Sequence, residues 1–162
     1  SIRALLLMAT NWTVRSQMAA LLLPKLAPLN GKAFASLIQV LPAEPGRDTL
    51  LFQGLALMSS LTPADYAALA DIVTSDDSFN EFLEKGTARL TPFRVSEAVT
   101  TSDLLLGRPA AYRDQFVLKA VASVTDLSWE NFEQLSLRCS SDLVRTKANQ
   151  LALTRLGPRV GS

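Results

Sequence analysis

Helix-opening signals recur along this chain while strand signals are almost missing, and this punctuation narrows the fold more than any other feature. In "LTPADYAALADIV" (61–73), Thr62 can cap the free amides of a first turn. Pro63 suits the first helical position, and Asp65 complements the positive helix end. "SDDSFNEFLEKG" (75–86) repeats the logic with Ser75 as cap and Phe79, Phe82 and Leu83 on one face. Glu81 and Lys85 stand one turn apart in that segment, and Gly86 reads as the terminator.

The remaining segments carry the same marks. "LNGKAFASLIQVLP" (29–42) turns at Asn30-Gly31 and continues as a short apolar helix ended by Pro42, after which "PAEPGRD" is a loop by composition. "TLLFQGLALMSSL" (49–61) has helical length, with Gly54 counting against it. "LTPFRVSEAV" (90–99) echoes the earlier Leu-Thr-Pro 29 residues on and leads into a "TSDLLLG" turn. "PAAYRDQFVLKAVASV" (109–124) sets Tyr112, Phe116, Ala120, Val121 and Val124 on a stripe. Ser128 opens "SWENFEQLSLRC", and the last helix aligns Ala148, Leu151, Ala152 and Leu156 before stopping at Gly157-Pro158.

The expected fold is therefore all-α: a single-domain bundle of about seven or eight short helices over residues 1–162, a length that buries one core unaided. The two Leu-Thr-Pro starts suggest the alternative, a small α-solenoid of helix pairs.

The opening, "SIRALLLMATNWTVRSQMAALLLP", is too often interrupted by Arg3, Thr10, Asn11, Thr13, Arg15, Ser16 and Gln17 to read as a membrane span. Its two apolar blocks around a polar middle do not match a secretory signal. With no acid before Glu44 it shares one trait with mitochondrial presequences, which stands as the alternative to an intracellular, cytoplasmic chain. Leu5, Met8, Ala9, Trp12, Ala19 and Leu23 fall on one helical face, and Leu7, Val14, Met18 and Leu21 roughly opposite. The expectation is a helix retained in the folded protein, with Trp12 at least half buried and Met8, Trp12 and Met18 as candidate partner contacts.

Chemistry is limited by what the composition omits. There is no histidine, which removes the usual proton shuttle, the commonest transition-metal ligand and the base of Ser-His and Cys-His pairs. Cys139 is the single cysteine and reads as a packed apolar residue. Gly31-Lys32 lacks the upstream glycine of a phosphate loop. The acid pairs Asp76 with Asp77, Glu81 with Glu84 and Glu130 with Glu133 read as helix starts and solvated faces, so no metal and no cofactor is expected.

Charge is segregated within a net of +1. Residues 1–43 carry Arg3, Arg15, Lys25 and Lys32 without an acid, whereas no base lies between Asp48 and Glu84. Together with 48% apolar and only 19% charged residues, this pattern points to a non-enzymatic subunit that docks to copies of itself or to other proteins, with Asp71, Asp76 and Asp77 as candidate contacts. The alternative is a nucleic-acid-binding module using Arg138, Arg145, Lys147, Arg155 and Arg159, and a carboxylate-based enzyme is a third reading.

Overall fold

The computed structural model describes residues 31–39, 45–73 and 75–159; the opening segment with Met8, Trp12 and Met18 lies outside them. The fold is all-helical, with eight helices among the described residues. They are α1 (Gly31–Ile38), α2 (Pro45–Ala56), α3 (Pro63–Ala70), α4 (Asp76–Thr87), α5 (Val95–Leu104), α6 (Ala110–Ser123), α7 (Trp129–Ser136) and α8 (Asp142–Leu156). The chain divides into two compact units, with the divide between Thr91 and Pro92.

In the first unit α1 packs on α3 and α2, and α4 packs on both α2 and α3. Phe34, Ile38, Leu51, Leu55, Tyr66, Leu69, Phe79 and Phe82 form its buried centre. Thr62 makes the capping box the sequence predicts, accepting from the Asp65 N–H at 3.1 Å while the Asp65 carboxylate accepts from the Thr62 N–H at 3.2 Å. Ser75 caps α4 by accepting from the Ser78 N–H.

Two glycines sit inside helices for one physical reason, close packing of an aromatic ring against the backbone. Gly54 sits inside α2 because the Phe34 ring lies against that backbone: a Cβ there would stand 2.2 Å from Phe34 Cζ. Close approach outweighs the weak helix propensity of glycine. Gly86 does not end α4, which continues to Thr87 with Ala88 as its C-cap. It is buried against Tyr66 and Phe82, whose rings pack with centroids 4.7 Å apart, and the Tyr66 hydroxyl meets Thr87 Oγ1 at 3.3 Å.

The two Leu-Thr-Pro copies meet through their leucines but do different work. Leu61 and Leu90 form an isolated parallel bridge, with the Leu61 N–H donating to the Arg89 carbonyl at 2.7 Å. Only the first copy starts a helix. At the second, Arg94 occupies the position equivalent to Asp65, so the reciprocal cap cannot form, and α5 begins only at Val95 with no side-chain cap from its own N-cap residue. The Val95 N–H instead donates to Asp126 Oδ1 at 2.8 Å, from the turn between α6 and α7. The repeat behind the solenoid alternative thus opens a helix at one of its two sites.

In the second unit α6 and α8 pack together along Ala148 and Ala152, whose small side chains are fully buried beside Phe116, Val117, Ala120 and Val121. α5 and α7 complete the unit through Ala98, Phe132 and Leu135. The "TSDLLLG" stretch, read as a turn, is helical as far as Leu104; Thr101 and Ser102 are buried on α5, and only Leu105 to Gly107 form the turn. The α6–α7 turn is fixed by the Thr125 N–H donating to the Phe93 carbonyl at 3.0 Å and by a Ser128–Asn131 capping box.

Candidate functional site

The residues predicted to act at a surface fall into distinct environments. Asp71 is the exposed C-cap of α3, while Asp76 and Asp77 are exposed in the first turn of α4, where their charge complements the helix end.

The five cations of the nucleic-acid alternative are in the second unit, and four of them hold it together. Arg138 makes a two-point pair with Asp103, Nε to Oδ1 at 3.2 Å and Nη2 to Oδ2 at 3.3 Å, and donates to the Gln134 carbonyl at 2.9 Å. Arg145 pairs with Asp142 and reaches the Cys139 carbonyl at 3.5 Å. Arg155 donates to the Val121 carbonyl at 2.9 Å, satisfying one of the terminal acceptors of α6. Arg159 lies over the Trp129 ring, 5.4 Å from its centroid, and donates to the Trp129 carbonyl at 3.2 Å. Lys147 is exposed on α8.

These bonds draw four helix ends together. The Arg113 guanidinium, in the first turns of α6, donates to the Arg138 carbonyl at 3.1 Å. Buried Asp114 accepts from the Ser140 N–H at 3.0 Å and from the Ser140 hydroxyl. The end of α5, the start of α6, the end of α7 and the start of α8 are therefore tied into one end of the unit. Cys139 is buried within it as expected, and burial, with Asp114 adding to the effect, pushes its thiol above the ordinary range.

The same end exposes apolar side chains. Leu104 is 50% exposed, Leu106 62%, Leu137 73% and Leu143 67%, whereas Leu105 between the first two is fully buried. Sequence reading missed all four; for Leu104 and Leu106, a Leu-Leu-Leu run gives no sign of which member turns inward. Among the described residues no group of three or more Asp, Glu and Cys side chains could hold a metal ion, and no helix is long and apolar enough to cross a membrane. The chain matches no protein-family profile, no curated protein and no solved structure.

Proposed function

We propose that this chain is a non-enzymatic helical subunit that works by docking to copies of itself or to other proteins, as part of a scaffold, adaptor or larger particle. The observation that carries this reading is the set of four well-exposed leucines at the joined helix ends of the second unit. Isolated surface leucines need no explanation, but several gathered at one end of a unit mark a surface that a neighbour covers. A composition of 48% apolar and 19% charged residues supports it, as does the exposed acidic group Asp71, Asp76 and Asp77, which can orient a partner.

A nucleic-acid-binding role would have to draw on guanidinium groups that already satisfy carbonyls and carboxylates of the second unit. Breaking those bonds to reach phosphate offsets much of the electrostatic gain.

Sedimentation of the purified chain over a wide concentration range, paired with affinity capture from its native extract, tests the proposal. A higher-mass species or a stoichiometric, identified protein partner is the expected outcome. A chain that remains monomeric and captures no partner overturns it.

A further inference from the structure

On leaving α8 the chain turns back onto the start of α7, where one guanidinium meets a ring, a carbonyl and a carboxylate. The Arg159 guanidinium carbon lies 5.4 Å from the centre of the Trp129 ring, and its Nη2 donates to the Trp129 carbonyl at 3.2 Å. The same nitrogen stands 3.5 Å from Oε1 of Glu133, one turn along α7. Earlier in the segment, the Gly157 carbonyl accepts from the Trp129 indole N–H at 3.1 Å. Residues 157–159 thus form a strap over the first turn of α7, engaged by Trp129 at both of its ends.

The two halves of this contact differ in how firmly they are held. Trp129 stands on a fixed element: its ring meets that of buried Phe132 edge-on, with centroids 5.6 Å apart, and the Ser128–Asn131 capping box sets the start of α7. On the other side, Gly157 is the C-cap of α8, its N–H donating to the Leu153 carbonyl at 2.9 Å. Beyond it Pro158, which has no N–H to give, and Arg159 are both exposed. The strap is therefore placed by bonds made at the surface, where single charge pairs contribute little, and such segments are the first parts of a fold to open. The site on α7 keeps its shape when the strap leaves it.

The groups on α7 also state what they accept. A ring face attracts any cation, whereas the carbonyl and the carboxylate take N–H donors only. A planar guanidinium can stack on a ring while its edge donates to acceptors beside it. An ammonium is a compact, strongly hydrated point charge without that edge, so it exchanges water for these groups less favourably.

We infer that the Trp129 ring, the Trp129 carbonyl and Glu133 form a guanidinium-binding site, which Arg159 fills when the 157–159 strap is closed and which takes an arginine side chain from another protein when the strap is open. The assembly reading rests on leucines at the opposite ends of α7 and α8, so either can fail without the other.

The test follows the Trp129 indole N–H resonance of the full chain by NMR, with Trp12→Phe used to assign it. Wild type, R159A and R159A/E133Q are titrated with ethylguanidinium or ethylammonium to about 100 mM at constant ionic strength, and circular dichroism reports that each variant is folded. In R159A, ethylguanidinium is expected to move the resonance to saturation, at least about tenfold more tightly than in wild type, where the tethered Arg159 competes. Ethylammonium should leave it in place, and R159A/E133Q should bind ethylguanidinium about threefold or more weakly than R159A. R159K, which keeps the charge without the planar edge, should show the resonance of R159A rather than that of wild type.

The inference is overturned if ethylguanidinium fails to move the R159A resonance, or if ethylammonium moves it as well. An R159K chain that retains the wild-type resonance also rejects it, since the strap would then close on charge alone.

Discussion

The indole N–H of Trp129 donates to the Gly157 carbonyl at 3.1 Å, so the first residue of α7 holds the chain where it leaves α8. Gly157 reaches that position at φ 72° and ψ −178°, a conformation that only glycine adopts readily. A Cβ at this position meets nothing within 4 Å, so any cost of adding one is conformational rather than steric. Gly157→Ala is expected to destabilise the protein by about 1–3 kcal/mol in urea unfolding. Trp129→Phe should lose about 1 kcal/mol or more, through the hydrogen bond and the Arg159 stacking together. Unchanged midpoints for both variants would show that this latch contributes nothing.

Gly54→Ala is expected to cost about 1–3 kcal/mol, because the new methyl group must displace the Phe34 ring. The same substitution made with Phe34→Leu should cost less than the sum of the single changes. A double-mutant cycle measures the difference, and strict additivity would rule out the close approach as the cause.

Asp126 supplies the cap that α5 lacks in its own sequence. Asp126→Ala should lower stability by about 1–2 kcal/mol, whereas Asp126→Asn, which keeps the acceptor, should lose less. Hydrogen exchange localises the effect: the Val95 amide should exchange faster in the alanine variant while amides in the middle of α6 stay protected.

Ser102 is fully buried on α5, and its hydroxyl finds no hydrogen-bond partner among the described residues. Ser102→Ala should therefore be neutral or stabilising, by up to about 1 kcal/mol, since it removes a desolvated polar group. Thermal unfolding checks this, and a clear fall in midpoint would mean the hydroxyl is satisfied in solution.

The Cys139 thiol and the Tyr66 phenol are both pushed up by burial, which disfavours their charged forms. The folded chain keeps these protons to higher pH than the unfolded chain. Their contribution to stability is intact below the ordinary thiol value of 9.0 and phenol value of 10.0, and it declines as pH rises past each. Urea unfolding between pH 8 and 11 should show this fall, with about that window set by the ordinary values of the two groups. Tyr66→Phe should flatten its upper part.

Local chemistry made much of the helix order legible. Thr62 with Asp65, Ser75 and Ser128 cap helices in the structure, and Gly157 ends α8, because capping bonds join residues only three or four positions apart. The buried stripes Phe116–Ala120–Val121 and Ala148–Ala152 follow from helical period in the same way. Reading failed where a distant group replaced the local one. Arg94 offers no cap, and Asp126 provides it from 31 residues away. The candidate surface was the least legible part: nothing in the sequence points to the leucine-bearing end, and the alternative that draws on Arg138, Arg145, Arg155 and Arg159 has no local signal for the bonds these arginines make within the second unit.

What the sequence determined by itself is that the chain is helical and where most of its helices start, along with the lack of any imidazole chemistry. Tertiary structure alone decided that the Phe34 ring lies against Gly54, that four arginines spend their donors on the second unit, and that Leu105 is buried while Leu104 and Leu106 are exposed. Capping and periodicity act over a single turn and are written in neighbouring letters. Burial and charge pairing depend on which helices lie side by side, and that is settled only when the packed unit closes.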